Sequence, residues 1–300
     1  MDEILQTIQL SKKFGKTVVL DKMDLIVPAG SVYGLLGPNG AGKSTTLQIL
    51  MNLQQPSSGR AEVFGKNSRR ISPEDFTRIG YVAETQEMPD WMTVDSFMAY
   101  LQPFYPTWDA NRAEQLLREF DLPLERKLRH LSRGMRMKVS LASSLAYRPR
   151  LLLMDEPFSA LDSLTRDELI EGLLANAEGL SILIASHDLS EIETFASHIG
   201  YLERGCLQFS EEMTSLTERF REVEITVTPA SRERIFDWPP SWLNAEESDS
   251  LVRFVETRFE RERTMGDIGR LFQNVKHVAF RAMPLRSIFV TLAKTSRKAA

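Results

Sequence analysis

The sequence predicts an α/β fold on a mostly parallel sheet, followed by a small α+β unit. Apolar runs at Val32–Leu36, Ile79–Ala83, Leu151–Met154 and Ser181–Ala185 alternate with helical periodicity, and such alternation builds parallel sheets. Gly37-Pro38-Asn39-Gly40-Ala41-Gly42-Lys43-Ser44-Thr45 stands between the first of those runs and a helical stretch. Strand, glycine loop and helix in that order are the setting a P-loop requires. Near Arg219 the texture changes. From Arg221 onward 14 basic and 11 acidic residues give a net +3, against −7 for the rest.

Ile4–Leu10 alternates apolar and polar residues, the mark of a half-exposed strand. Ser11–Gly15 reads as a turn, and Val18–Leu20 and Leu25–Val27 as two short strands before a turn at Pro28–Gly30. The P-loop strand and its helix, Thr46–Met51, precede a turn at Gln55–Gly59 and a strand at Ala61–Gly65. Ile79–Ala83 ends in a polar connector, Glu84–Asp90. Residues 91–147 read mainly as helices separated by Pro103, Pro106 and Pro123. Thr93 caps one of them, because its hydroxyl can take an orphan N–H of the first turn. Asp109–Phe120 is another, with Ala113, Leu116, Leu117 and Phe120 on one face. The aromatic run Phe104–Asp109 either packs this helical region or forms part of a docking surface.

Leu151–Met154 delivers two carboxylates, Asp155 and Glu156, at a strand end, which is where open parallel sheets collect ligands. Thr165–Ala175 is a helix with Leu169, Leu173 and Leu174 inward; Ser181–Ala185 is a buried strand ending in Ser186-His187-Asp188. Leu189, Ile192 and Phe195 mark a further helix. Beyond it Glu222–Thr228, Leu251–Glu256 and His277–Arg281 read as strands, and Met265–Asn274 and Leu285–Ala293 as helices. The basic end, Lys294–Ala300, is expected to fray.

A hydrophobic content of 42% supplies a packed core, and 26% charged residues make an ordinary soluble surface. The net charge of −4 offers no general attraction for nucleic acid. Cys206 is the sole cysteine, which excludes an internal disulfide and points to a reducing compartment. Neither a leader peptide nor an apolar run long enough to cross a bilayer is legible. A soluble protein is expected, with any membrane role exercised through a partner.

The P-loop carries the clearest chemistry. Its glycines let successive backbone N–H groups turn inward into an anion nest, and the helix starting near Gly42 adds its unsatisfied N–H groups and positive dipole end. Lys43 supplies a mobile charge for β- and γ-phosphates, and the Ser44 hydroxyl can reach Mg²⁺. Arg129-His130-Leu131-Ser132-Arg133-Gly134-Met135 opens a second helix with a serine and a glycine at its start, another anion-binding end. Two such ends suggest one triphosphate held between two copies. Phe14 is placed where an aromatic can stack on adenine, or else simply pack at an edge.

With these motifs in this order, the chain resembles the ATP-binding subunits of ABC transporters, and among them the ATPases of ABC-2-type exporters. Gly37–Thr45 matches the family's Walker A loop, Leu131–Met135 its signature, Leu151–Glu156 Walker B, Ser159-Ala160-Leu161-Asp162 the D-loop, and His187 the switch histidine. Phe14 matches the adenine-stacking position. The resemblance implies a P-loop NTPase cassette over residues 1–220, with a mixed sheet core and a helical subdomain at about 86–147. Residues 221–300 are similar to the small C-terminal extension of many ABC-2-type ATPases.

It further implies a head-to-tail homodimer, or a heterodimer with a homologous subunit, holding two ATP molecules. Asp155 and Ser44 would hold Mg²⁺, Glu156 would orient the attacking water, and His187 would contact the γ-phosphate. Ser132, Gly134 and Asp162 would act at the interface, with Ser132 and the Gly134 amide reaching the other copy's nucleotide. Arg133 and Met135 depart from the usual Leu-Ser-Gly-Gly-Gln. Glu84 stands where the family usually has the Q-loop glutamine, with Gln86 two residues later; a carboxylate there can approach Mg²⁺. The implied partner is an integral-membrane permease, and the implied location the cytoplasmic face of the cell membrane. The rival readings are a soluble ABC ATPase acting on a ribosome or DNA and an ATP-regulated scaffold. The single cassette and acidic balance weigh against the first, and Glu156 with His187 against the second.

Overall fold

The computed structural model describes residues 2–83, 86–159, 161–228, 238–248, 250–272 and 275–299, with side chains as far as Leu292. Glu84 and Ala160 lie outside the described residues. The chain divides into two compact units, Met1–Ser210 and Glu211–Ala300.

The first unit runs β1 (Glu3–Phe14), β2 (Thr17–Pro28), β3 (Val32–Leu36), α1 (Lys43–Leu50), β4 (Ser58–Val63), β5 (Lys66–Asn67), α2 (Pro73–Phe76) and β6 (Ile79–Ala83). It continues with α3 (Val94–Leu101), α4 (Ala110–Glu119), α5 (Arg133–Leu145), β7 (Leu151–Asp155), α6 (Ser163–Ala175), β8 (Ser181–Ser186), β9 (His198–Glu203) and β10 (Cys206–Glu212), whose last two residues cross the boundary. Six strands form one sheet in the order β10-β9-β3-β8-β7-β6. Within it β3 runs parallel to both β8 and β9, and β7 to both β8 and β6. Central parallel strands are covered on both faces. That is why β7 and β8 read as unbroken apolar runs and why Leu151–Met154 and Ile182–Ala185 are wholly buried.

A second, antiparallel sheet has the order β2-β1-β4-β5. Leu5, Leu10, Leu20 and Leu25 from it share a core with Leu35, Leu151, Leu153 and Leu183 from the first. The P-loop strand is thereby held from two sides.

Several expectations are corrected here. Ser11–Phe14 belongs to β1, and the turn is confined to Gly15-Lys16. The two short strands expected between Val18 and Val27 are one, β2. Polar residues inside the strands, Ser11–Lys13 in β1 and Asp21-Lys22 in β2, account for both differences. Gln9 (φ 46°) and Lys22 (φ 48°) lie at shifts in the β1–β2 register. Leu174 is exposed, unlike Leu169 and Leu173. The helix expected at Leu189–Phe195 is only a 3₁₀ turn, Leu189–Glu191.

In the helical region Thr93 is the cap expected, and Asp109, expected inside its helix, is the N-cap of α4. Ser96 N–H donates to Thr93 Oγ1 at 3.2 Å, and Arg112 N–H to Asp109 Oδ1 at 3.0 Å. Ala113, Leu116, Leu117 and Phe120 are all buried. The aromatic run splits between its two readings: Tyr105 stacks on Tyr147 at 3.9 Å, while Phe104 is exposed.

α2 shows how local chemistry sets stability. Ser72 and Asp75 form a reciprocal capping box, and Lys66 Nζ donates to both Asp75 oxygens at 2.7 and 2.8 Å. The Lys66 hydrogen bonds, then the Ser72 N–H, hold the Asp75 carboxyl down at about 2. That lies below the unfolded value of about 3.9, so the contribution is present above about pH 4 and lost as pH falls toward 2. Asp75→Asn is therefore expected to lower the melting temperature near neutral pH, and the gap to the parent should close near pH 2.

The second unit contains α7 (Met213–Arg219), β11 (Arg221–Val227), β12 (Trp242–Glu247), β13 (Leu251–Glu256), α8 (Arg261–Leu271), β14 (Val275–Ala282) and α9 (Leu285–Ala299). Its sheet is antiparallel, in the order β12-β13-β11-β14. Val223, Ile225 and Val227 face a core completed by Trp242, Phe254, Ile268 and Phe272, with Trp242 stacked on Phe254 at 3.7 Å. The helix expected to end at Ala293 continues to Ala299.

Candidate active site

The site assembles at the carboxyl ends of β3, β7 and β8. Gly37 follows β3, and its N–H donates to the Ser186 carbonyl at 3.3 Å, which ties the loop to the end of β8. A side chain at Gly37 is excluded, because a Cβ there would stand 2.1 Å from the Leu202 carbonyl oxygen. Gly42, at φ 110°, is the N-cap of α1, a backbone state open to glycine alone at little cost.

Lys43 is only 5% exposed. Its ammonium donates to the carbonyls of Gly37 at 2.7 Å and Pro38 at 3.3 Å, and pairs with Glu156 Oε1 at 3.1 Å. Beside it the Ser44 hydroxyl donates to Asp155 Oδ1 at 2.9 Å. Burial pushes the Asp155 carboxyl up from its ordinary value, and the Ser44 hydrogen bond opposes that shift. Glu156, just past β7, adopts φ 50°, a left-handed state that costs a non-glycine residue about 1 kcal/mol or more. Its N–H donates to the Ala185 carbonyl at 2.9 Å, so β8 holds the turn that aims the carboxylate. The other Glu156 oxygen meets His187 Nδ1 at 2.7 Å and the His187 N–H at 3.3 Å. Lys43, Glu156 and His187 thus form one continuous polar chain, with Ser44 and Asp155 alongside.

Other candidates lie apart from this chain. Ser132 is the exposed N-cap of α5, its hydroxyl accepting from Met135 N–H at 3.2 Å. Gly134 is buried, and a Cβ there would meet the Thr165 methyl at 2.4 Å, so this glycine also permits close packing of α5 on α6. Asp162 caps α6 through Thr165, whose N–H donates at 2.9 Å and hydroxyl at 2.7 Å; those bonds hold its carboxyl below the usual range. Phe14 is 47% exposed, its ring lying under Lys12 Nζ at 4.7 Å.

Gln86 accepts from Ser140 Oγ at 2.6 Å and lines a cavity of about 220 Å³ with Ala83, Met88, Arg133, Arg136, Met137 and Ser140. It is engaged with α5. The Lys43–Glu156 pair and the Gln86–Ser140 bond were invisible in the sequence, because each joins segments more than fifty residues apart.

Fold and cluster together define a P-loop nucleoside triphosphatase. The ABC transporter family matches residues 20–159. The bacitracin transport ATP-binding protein BcrA of Enterococcus faecalis is 31% identical over 226 residues, 74% of this chain and 73% of the relative. The ABC transporter ATP-binding protein YtrB of Bacillus subtilis is 30% identical over 224 residues, 74% of this chain and 76% of the relative. A solved ATP-binding subunit of an ABC transporter superposes with a TM-score of 0.66 at 28% identity, covering 72% of this chain and 92% of its own. The chain belongs to the ATP-binding proteins of ABC transporters. It is the subunit that binds and hydrolyses ATP to drive transport.

Among the described residues no helix is long and apolar enough to cross a membrane, and no group of three or more His, Cys, Asp or Glu could hold a metal. Mg²⁺ fits the donors that are present. It favours hard oxygens and takes only one or two from protein, the rest coming from water and substrate phosphate; Ser44 and Asp155 offer such a pair.

Proposed function

We propose that this subunit powers export through a separate membrane permease, and that two copies sandwich two ATP molecules. The observation that carries this is the division of phosphate-binding groups. Lys43, Glu156 and His187 are linked at the P-loop, whereas Ser132 is an exposed helix N-cap with no part in that chain. A group shaped for an anion yet outside its own chain's cluster is suited to a neighbour's nucleotide.

In this reading the P-loop from Gly37 to Thr45 wraps the β- and γ-phosphates, Lys43 turns its ammonium to them, and Phe14 stacks on adenine. Ser44 and Asp155 would hold Mg²⁺, which when bound would supply neutralisation of phosphate charge. Glu156 accepts a hydrogen bond from the attacking water and aligns it, and His187 donates toward the γ-phosphate. The second copy contributes Ser132, the Gly134 amide and Asp162. Phosphoryl transfer needs alignment and charge neutralisation more than covalent help. Glu84, outside the described residues, is a further candidate ligand for the metal.

The partner is an integral-membrane permease docked on the helical region, residues 86–147, at the cytoplasmic face of the membrane. Exposed Trp91 and Phe104 and the cavity beside Gln86 support that assignment. The exporter class is supported by relatives such as the Nod factor export ATP-binding protein I of Cupriavidus metallidurans, 34% identical over 214 residues. Residues 1–220 act as the cassette and 221–300 as an accessory unit.

Ser132→Ala tests the sandwich. Nucleotide affinity of the monomer should stay within about twofold, while ATP-driven dimerisation weakens about tenfold, the loss of one ordinary hydrogen bond. Equal loss of both would place Ser132 in its own chain's pocket.

A further inference from the structure

Glu191 takes no part in the reaction proposed above, yet it is only 6% exposed. A buried carboxyl is costly unless its hydrogen bonds are satisfied. Its Oε2 accepts from the Ser186 hydroxyl at 2.5 Å. Ser186 ends β8 and immediately precedes His187. The same hydroxyl accepts from the Asp188 N–H at 3.0 Å, so it brackets the histidine from both sides. The Ser186 carbonyl in turn receives the Gly37 N–H of the P-loop at 3.3 Å.

The other side of Glu191 is equally fixed. Ile192, fully buried, puts its Cδ1 where a Cβ on Gly34 would be, 2.2 Å away, so the 189–191 turn is seated directly on the P-loop strand. The spacing of Leu189, Ile192 and Phe195 predicts a helix, but what it serves is this packing of a 3₁₀ turn.

We propose that Glu191 is a positioning residue, which through Ser186 holds His187 against Glu156 and registers both on the P-loop. This rests on the roles given above to Glu156 and His187. An error of about 1 Å in a reacting geometry costs on the order of a hundredfold in rate, and His187, with 42% side-chain exposure, is oriented by this turn and by Glu156. A residue acting through Ser186 should change turnover and spare nucleotide affinity.

The test is steady-state ATPase kinetics on the full chain, with fluorescent-nucleotide binding and thermal melting alongside. Glu191→Ala is expected to lower kcat by about thirty- to a hundredfold with KM for ATP within about twofold. Glu191→Gln, which still offers Ser186 an acceptor, should remain within about threefold of the parent. Ser186→Ala should match Glu191→Ala, and the double variant should be no slower than either, as expected of two residues acting through one bond. The proposal fails if Glu191→Ala turns over within twofold of the parent. It also fails if Glu191→Gln is as slow as Glu191→Ala, or if the single effects multiply in the double variant. Should Glu191→Ala not fold, Ser186→Ala and Glu191→Gln decide the question alone. His187→Ala separates the two levels: full activity there removes the underlying reading, whereas a slow His187→Ala beside a fast Glu191→Ala removes only the role of Glu191.

Discussion

Glu156→Gln will bind ATP with the affinity of the parent and hydrolyse it about a thousandfold more slowly, a loss of about 4 kcal/mol of transition-state stabilisation. Binding should survive because Lys43 keeps the Gly37 and Pro38 carbonyls, and an amide at position 156 still offers it an oxygen. Hydrolysis should not, because an amide has no carboxylate to polarise water. The left-handed turn at Glu156 and the Ala185 carbonyl that holds it are backbone features that the substitution leaves alone. Rapid-quench turnover beside equilibrium nucleotide binding checks both halves. Undiminished turnover would take Glu156 out of its role.

Gly37→Ala should abolish nucleotide binding and lower the melting temperature together. A methyl at that position meets the Leu202 carbonyl oxygen at 2.1 Å and its carbon at 3.1 Å. Both are backbone atoms of β9, so no side chain can swing aside. Relief requires moving the loop off β9, which breaks the Gly37–Ser186 hydrogen bond and displaces the carbonyl that holds Lys43. Overpacking at a rigid site costs about 1–3 kcal/mol or more. Gly40→Ala is the control for stability, since its Cβ would meet no protein atom within 4 Å; its cost to folding comes from the positive φ of 80°. Calorimetry with and without nucleotide compares the two. A Gly37→Ala protein that melts like Gly40→Ala would show that β9 yields.

What the sequence made legible follows from how local each feature is. The P-loop and the acids after β7 were visible because glycine spacing and an apolar run are written in consecutive residues. β7 and β8 were bounded to within a residue, being buried on both faces. β1 and β2 were not, because the polar residues Ser11–Lys13 and Asp21-Lys22 inside them read as turn. β12 went unseen: Trp242 is buried, but Asn244, Glu246 and Glu247 are exposed, so half its residues read as loop. In the site, residue types were legible and pairings were not. Lys43 was read toward phosphate, and its ion pair with Glu156 emerges only when β3 and β7 come together. Leu189–Phe195 shows the opposite failure, where spacing suited to a helix serves a short turn packed on Gly34.

The most direct measurement mixes two crippled subunits. Lys43→Ala lacks a working P-loop, and Ser132→Arg lacks the group offered to a neighbour, so each alone should hydrolyse ATP at background rate. If every pocket is completed by the other copy, a mixed dimer contains one intact pocket, built from the P-loop of the Ser132→Arg chain and the Ser132 of the Lys43→Ala chain. The mixture should therefore recover ATPase activity well above the average of the two proteins assayed apart. Activity equal to that average, with mixed dimers shown to form, would mean that each chain hydrolyses ATP with its own residues alone.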